Sequence, residues 1–221
     1  MGVTEEPLLI WGAGAMGGTI GGVLADEGRQ VRFVDQAREH LQAMNERGLR
    51  VTGPVTELQV AVEATHPEDL QGTFSTVLLC VKAHHTREAL AQLRAHLSDA
   101  GAVVSIQNGL CELEIAEVVG PERTVGAFVN FGADYLEPGV IHWGGRGAVV
   151  VGELDGRTSR RVETTYETLQ LFEPTGDHLD ELAIVDRVQV HDLHDVADDG
   201  VAVGKETGRV GQRDGVIEHA K

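Results

Sequence analysis

A glycine-rich turn between an apolar strand and a helix is the feature that most constrains this chain. Leu8–Trp11 forms a short apolar run, and it leads directly into glycines spaced as G-x-G-x-x-G. In this pattern the first glycine makes a tight turn and the second leaves room for a pyrophosphate against the backbone. The third lets the helix pack closely on the strand, and the helix N-terminus directs free N–H groups at the phosphates. The pattern predicts dinucleotide binding by the loop residues Gly12, Ala13, Gly14, Ala15, Met16 and Gly17.

The context of the loop strengthens this prediction, because an ordinary strand-turn-helix corner is the alternative in a chain with 28 glycines. A helical pattern follows the loop, and a second strand, Val31–Val34, ends in Asp35. An acid at this position accepts hydrogen bonds from the adenosine ribose and repels a 2′-phosphate, which favours NAD over NADP. The alternative for Asp35 is a solvated acid, paired for example with Arg38.

Strands and helices alternate along the first two thirds of the chain. The runs Val77–Val81 and Ala102–Ile106 are continuously apolar, as expected of strands that are buried on both faces of a parallel sheet. The alternation predicts an α/β, Rossmann-type, doubly wound and mostly parallel sheet. Helices are predicted at Ala15–Glu27, Ala37–Arg47, around Leu90, Leu93 and Leu97, at Glu112–Val118 and at Ser159–Phe172, and a hairpin joins Leu49–Val51 to an alternating run at Leu58, Val60 and Val62.

A β-rich extension follows the alternating region. Three strands are predicted there, at Thr124–Phe131, Gly139–Trp143 and Ala148–Val151, and Glu137-Pro138-Gly139 is expected to make a turn between the first two.

Polar residues also follow the two buried apolar runs, where a doubly wound sheet places its ligands. Lys82 comes directly after Val81, and its position favours a cofactor or substrate contact over a surface lysine at the sheet edge. Gln107-Asn108-Gly109 follows the next run, and an amide here is suited to hold both the nicotinamide end and a substrate oxygen, although Asn-Gly is also ordinary turn chemistry. His84 and His85 have no third ligand at metal spacing, so no metal site is predicted.

Taken together, these segments resemble the ketopantoate reductases (2-dehydropantoate 2-reductases). The similar stretches are Gly12–Gly17, Val81-Lys82-Ala83, Gln107-Asn108-Gly109, and Asn130–Ala133 with Glu137-Pro138-Gly139, and the similarity extends over about residues 7 to 172. Their order and spacing are specific to the family.

The resemblance implies a Rossmann domain that is followed by an all-helical domain. The reaction it implies is hydride transfer from NAD(P)H to the ketone carbon of a 2-keto acid of the ketopantoate type. Lys82 and Asn108 match the family's lysine and asparagine at the nicotinamide end, where the asparagine also touches substrate, and Gly132 lies near a further backbone contact to the cofactor. The family usually prefers NADPH, and Asp35 departs from that pattern.

Composition sets the remaining expectations. The formal net charge of −17 argues against nucleic acid and anionic membrane surfaces as partners. Two cysteines, Cys80 and Cys111, predict reduced thiols in a cytoplasmic protein, and a lowered pKa is an alternative for Cys111 near a helix start. Neither a signal peptide nor a run long enough to span a bilayer is expected.

The last part of the chain departs from the family pattern. Residues 1–172 are predicted to form the NAD(P)-binding domain, and 173–221 an irregular, acidic, glycine-rich tail that is not the family's helical domain; a shifted reading frame near Pro174 would explain it. Ile184–Val190 is strand-like, and the polar segment His191–Asp195 is not taken as a metal site. No residue is assigned as the general acid, so full activity is doubtful. A non-catalytic NAD(H)-binding paralogue, and a different 2-hydroxy acid dehydrogenase completed by a second subunit, are the alternatives, and a homodimer is an expected assembly.

Overall fold

The computed structural model describes residues 6–172 and 182–184. The chain divides into two units, Met1–Val188 and Gln189–Lys221, and all described residues lie in the first. Its helices are α1 (Ala15–Asp26), α2 (Arg38–Arg47), α3 (Thr86–Leu93), α4 (Cys111–Val119) and α5 (Arg160–Gln170). Its strands are β1 (Leu8–Trp11), β2 (Val31–Val34), β3 (Leu49–Thr52), β4 (Leu58–Val60), β5 (Glu63–Thr65), β6 (Phe74–Leu79), β7 (Leu97–Ser105), β8 (Thr124–Glu137), β9 (Val140–Glu153) and β10 (Leu182–Ile184).

The strands of the described residues form one sheet in the order β4-β3-β9-β8-β7-β6-β1-β2-β5. Strand β10 lies off this path and pairs with Val149–Val151 of β9. The strands from β5 to β8 are mutually parallel, whereas β8–β9 and β3–β4 are antiparallel pairs. The α/β, mostly parallel fold with a β-rich extension is therefore confirmed. The chain reverses direction across the sheet at β1, which lies between β2 and β6, and such switch points are where doubly wound sheets bind ligands.

Alternate residues of β1 face two separate hydrophobic cores. Leu8 and Ile10 pack in the core that includes α1, α2 and α5, and Leu9 and Trp11 pack in the core that includes α3 and α4. All four side chains are buried, which explains why the sequence of β1 is continuously apolar.

Helix α1 packs closely against the sheet because one of its faces consists of glycines. A Cβ added at Gly21 would lie 2.5 Å from the ring of Phe33 in β2, and one added at Gly18 would lie 2.8 Å from Ile141 in β9. Strands β2 and β9, which lie on opposite sides of β1 in the strand order, therefore approach the backbone of α1 more closely than side chains at Gly18 and Gly21 would permit.

The prediction of three strands in the extension is wrong in one respect. The second and third predicted strands are a single strand, β9, which runs from Val140 through the segment 144–147 to Glu153. The pairing with β8 shifts register beside that segment, between Asn130 and Gly132. A Cβ on Gly147 would lie 1.3 Å from the Asn130 carbonyl oxygen, so glycine lets the strand continue where the sequence suggested a break.

Three further boundaries differ from the sequence predictions. The hairpin is confirmed, but its second strand ends at Val60, and the next residues form β5, parallel to β2. The apolar run that starts at Val77 belongs to a strand that begins at Phe74 and ends at Leu79. Leu97 begins β7 and is not part of the preceding helix, because α3 ends at Leu93. In each case a pairing partner distant in sequence decides the boundary.

The end of the described chain adds one element. Leu182–Ile184 forms β10, which pairs in parallel with Val149–Val151 of β9. The predicted strand Ile184–Val190 shares only Ile184 with it. Residues 185–221, which include His191–Asp195, lie outside the described residues, so the boundary after residue 172 stays a prediction. Within the described residues, no helix is long and apolar enough to cross a membrane.

Candidate functional site

Backbone hydrogen bonds align the carboxyl ends of four parallel strands at one edge of the sheet. The Gly12 N–H donates to Val34 O (2.8 Å), the Cys80 N–H to Trp11 O (2.8 Å), and the Ile106 N–H to Leu79 O (2.9 Å). The polar residues that follow β2, β1, β6 and β7 in sequence, namely Asp35, the glycine loop, Lys82 and Asn108, therefore share this edge.

The three glycines of the loop meet different surroundings. Gly12 has φ +101°, and a Cβ on it would lie 3.0 Å from the backbone of Cys80 and Val81. A Cβ on Gly17 would lie 2.0 Å from the Gly12 carbonyl oxygen and 2.9 Å from Cys80 Cβ. A Cβ on Gly14 has no atom within 4 Å. Two of the glycines are thus required by packing, whereas the space beside Gly14 is open.

The loop presents its amides to this open space. Gly14 is the N-cap of α1, and the next residues, Ala15 and Met16, are partly exposed. Their N–H groups belong to the first turn of the helix, so they have no acceptor within the helix. The arrangement is suited to receive an anion, because these amides and the helix dipole both favour negative charge.

Asp35 connects the end of β2 to the glycine loop. One of its carboxylate oxygens accepts a hydrogen bond from the Ala13 N–H (2.8 Å) and the other from the Ala37 N–H (2.9 Å). The carboxylate is half-buried, and each oxygen has a second lone pair for a ligand. Arg38, which the alternative of a solvated acid would pair with Asp35, forms ion pairs with Glu68 and Asp69.

The surroundings of Asp35 are negative. Burial raises the pKa of the Tyr135 phenol, and the nearby carboxylates of Asp35, Glu39 and Glu137 raise it further. Tyr135 is 44% exposed and lies near the C-terminal end of β8. A 2′-phosphate at this corner of the site would meet the negative charge of Asp35, and Glu39 and Glu137 carry further negative charge near Tyr135.

Lys82 and Asn108 are exposed at the same edge, and Gln107 lies buried between their two loops. The Gln107 side-chain amide donates to the Val81 carbonyl oxygen and to Thr86 Oγ1, both at 2.8 Å. Among the described residues, its Oε1 has no hydrogen-bond partner. Gln107 thus fixes the segment before Lys82 against the segment before Asn108.

Gly132 lies in the irregular part of the β8–β9 pairing, opposite Gly145. It is exposed, and a Cβ on it would lie 3.7 Å from the Gly145 N. The structure places it in the β8–β9 hairpin, and its role as a cofactor contact stays a prediction.

The cysteines and the histidine pair show no sign of reactivity. Both thiols are free, and burial raises the pKa of each, so the alternative of a lowered pKa for Cys111 is wrong. His84 and His85 lie beside each other in an exposed turn. Within residues 6–172, no group of three or more His, Cys, Asp or Glu side chains is placed to hold a metal ion.

Two residues of the site have contacts that were missed by sequence reasoning. His40 is buried and contacts both the glycine loop and the β8–β9 turn. Gln107 was predicted as part of the segment Gln107-Asn108-Gly109, but its hydrogen bonds between the two loops were not. The helical position of His40 on the same face as Leu41 and Met44 was a signal of burial, but no local pattern reveals its two backbone partners.

Comparison with protein families and curated proteins identifies the relatives of the chain. Residues 8–156 match the family model described as ketopantoate reductase PanE/ApbA. The 2-dehydropantoate 2-reductase of Pyrococcus horikoshii is 35% identical over 163 residues, which are 73% of this chain and 52% of that protein. The enzyme of the same name from Archaeoglobus fulgidus is 36% identical over 162 residues, with the same two coverages.

Solved structures agree at the level of the fold. The crystal structure of 2-dehydropantoate 2-reductase from Geobacter metallireducens superposes with a TM-score of 0.73 at 24% identity, and it covers 81% of this chain and 58% of that one. A D-mandelate dehydrogenase in complex with NADH superposes with a TM-score of 0.70 at 20% identity, covering 85% and 58%.

The chain spans about half the length of the curated relatives that it matches. The family match nevertheless covers the glycine loop, Asp35, Lys82, Asn108 and Gly132. The order of strands, the loop at the switch point and this match lead to one conclusion: the chain belongs to the ketopantoate reductase family.

Proposed function

We propose that this chain binds a nicotinamide dinucleotide at the edge formed by β1, β2, β6 and β7, and that it acts in the reduction of a 2-keto acid of the ketopantoate type. The observation that carries the proposal is the open space at Gly14 beside the free amides of the first turn of α1. A pyrophosphate is the ligand that such a loop at a switch point is built to receive. The reduced nicotinamide would supply the hydride.

The site residues are proposed to contact different parts of the dinucleotide. Ala15 and Met16 are proposed to donate N–H groups to the pyrophosphate, and Gly12, Ala13 and Gly17 to shape the loop around it. Asp35 is proposed to bind the adenosine ribose. Lys82, Asn108 and Gly132 are proposed to hold the nicotinamide end, with Asn108 also contacting the substrate.

The proton that completes the reduction has no assigned donor. A general acid must lie within hydrogen-bonding reach of the substrate oxygen. Lys82 is the only lysine between residues 6 and 172, and it is proposed here as a binding residue. The second candidate function, dinucleotide binding without turnover, is favoured by this observation.

Separate titrations with NADH and NADPH, followed by addition of ketopantoate, test these proposals. Binding followed by oxidation of the reduced cofactor supports the reductase, and binding without oxidation supports the second candidate. A parent chain that shows no heat and no melting shift with either dinucleotide contradicts both.

The negative corner at Asp35 predicts tighter binding of NADH than of NADPH. Asp35→Asn keeps a side-chain acceptor for one loop amide but removes the charge, so we expect the NADPH-to-NADH affinity ratio to rise by about tenfold. Glu63→Gln is a matched control, because Glu63 pairs with Arg32 on a different part of the sheet. An unchanged ratio in Asp35→Asn contradicts the assignment of the ribose to this acid.

A further inference from the structure

His40 joins the glycine loop to the tip of the β8–β9 hairpin through two hydrogen bonds to backbone groups. The Gly139 N–H donates to its Nδ1 (2.9 Å), and its Nε2 lies 2.9 Å from the Ala13 carbonyl oxygen. Because Nδ1 accepts a hydrogen bond from the Gly139 amide, the ring proton is on Nε2, which donates a hydrogen bond to the Ala13 carbonyl oxygen. The side chain is 1% exposed, so water does not substitute for either partner.

The peptide groups on both sides of Ala13 are consequently fixed. The Ala13 N–H is held by Asp35 and its carbonyl oxygen by His40, and the Ala13 side chain is fully buried. The residue that follows is Gly14, whose backbone has no side chain to restrict it. The orientation of the amides in the first turn of α1 therefore depends on how firmly Ala13 is held.

The other side of His40 is equally constrained. Gly139 has φ +81°, and its carbonyl oxygen accepts a hydrogen bond from the Arg50 N–H (2.9 Å). Arg47 of α2 donates to the Pro138 carbonyl oxygen (3.2 Å), and the Tyr135 ring packs edge-on against His40 with centroids 5.0 Å apart. His40 thus binds a backbone amide of a turn that is itself held by hydrogen bonds from Arg47 and Arg50.

We propose that His40 is a positioning residue of the dinucleotide site, which fixes the Ala13 peptide and thereby preorganises the loop amides for the pyrophosphate. The inference rests on the proposed dinucleotide binding. A merely structural histidine would stabilise the fold without affecting the loop, whereas a positioning histidine acts through its Nε2 donor in particular.

Three variants of His40 separate these roles. His40→Gln keeps an N–H donor near the position of Nε2, His40→Asn keeps an acceptor near Nδ1 but is too short to reach Ala13, and His40→Leu removes both. We expect His40→Gln to bind NADH within about threefold of the parent, and the other two variants to bind at least about tenfold more weakly. His96→Gln is the control, because His96 is a partly exposed histidine that contacts the Gly72 carbonyl oxygen, away from the glycine loop in sequence.

Hydrogen–deuterium exchange of the Ala13 and Gly18 amides without ligand gives a second readout, because these N–H groups donate to Asp35 and to the Gly14 carbonyl oxygen and so report how firmly the loop is held. We expect faster exchange in His40→Asn and His40→Leu than in the parent and His40→Gln. Equal binding and exchange in Asn and Gln variants that remain folded would overturn the inference. If the parent binds no dinucleotide, the proposed function fails, and the exchange rates still decide whether His40 fixes the loop.

Discussion

Gly14 and Gly17 are three residues apart in the same loop, and the same substitution is expected to affect them in opposite ways. A Cβ on Gly17 would lie 2.0 Å from a backbone oxygen, which cannot move without breaking the turn. Gly17→Ala should therefore lower the free energy of unfolding by at least about 3 kcal/mol. Gly14 has φ −67° and open space, so Gly14→Ala should change stability by no more than about 1 kcal/mol.

For NADH affinity, in contrast to stability, we expect the substitution at Gly14 to have a large effect. In Gly14→Ala the added methyl group occupies the space proposed for the pyrophosphate, and we expect NADH affinity to fall by at least about tenfold. Thermal unfolding and calorimetric titration of the two variants measure the two effects separately. A Gly14→Ala protein that binds NADH as the parent does would show that the phosphates rest elsewhere.

The acid at the start of α4 gives the folded protein a pH dependence of known sign. Glu112 is 7% exposed, and burial raises the pKa of its carboxyl, although its own backbone N–H and the Ser105 hydroxyl oppose the shift. The folded state therefore holds this proton more tightly than the unfolded state. Its contribution to stability is present below the ordinary pKa and is lost as pH rises through the raised one.

Glu112→Gln tests this sign. The amide cannot ionise, so the variant should gain stability relative to the parent at about pH 8 and show a smaller difference at about pH 4. Denaturant unfolding at both pH values gives the two differences. Glu117→Gln, on the exposed face of the same helix, is the matched control, and a parent-like pH profile in Glu112→Gln contradicts the prediction.

At the scale of elements, Gln107 connects the loop after β6 to the loop after β7. Gln107→Met keeps the length of the side chain and removes both donated hydrogen bonds, to Val81 and Thr86. We expect a loss of about 1–3 kcal/mol in stability, with weaker NADH binding because Lys82 and Asn108 flank these segments. The exposed Gln71→Met is the control. An affinity equal to the parent's would mean that the two loops are held by other contacts.

The elements that could be predicted from sequence are those whose signals are local. The strand at Leu8–Trp11 and the start of the first helix at Ala15 were predicted where the structure has them, since apolar runs and glycine spacing need no distant partner. The continuity of β9 was missed because only glycine fits at position 147, where a Cβ would overlap the Asn130 carbonyl oxygen. Asn130 lies in the neighbouring strand and is distant in sequence. The strand β5 was missed because its pairing with β2, and not its composition, defines it.

The candidate site follows the same rule. Asp35, Lys82 and Asn108 were predicted because each directly follows a strand or an apolar run, and parallel strands bring their carboxyl ends to one edge. The hydrogen bond from Ala13 to Asp35 and the two bonds of His40 connect residues 22, 27 and 99 positions apart, so no local pattern reports them. Sequence therefore points to the residues proposed to contact a ligand more readily than to those that hold them in place.

At the scale of the whole molecule, α5 extends the packed unit beyond the residues that the family model matches. The match ends at residue 156, whereas Phe172, just after α5, is 3% exposed. Its ring stacks on Trp143 of β9 with centroids 4.9 Å apart and lies 5.4 Å from Phe131 of β8. At the other end of α5, Arg161 pairs with the buried Glu153. The helix thus closes the core over the β8–β9 hairpin.

Phe172→Ala tests whether this closure stabilises the unit formed by residues 6–172 as a whole. Removing a buried aromatic ring that touches two others should cost about 3–5 kcal/mol, and the effect should appear as one cooperative transition. Leu171→Ala, at the adjacent and 40% exposed position, is the control and should cost much less. Because Phe172 is not itself among the residues proposed to bind the dinucleotide, NADH affinity measured below the transition should stay near the parent value. If both variants unfold alike, α5 is peripheral, and the packed unit ends nearer to residue 156 than to residue 172.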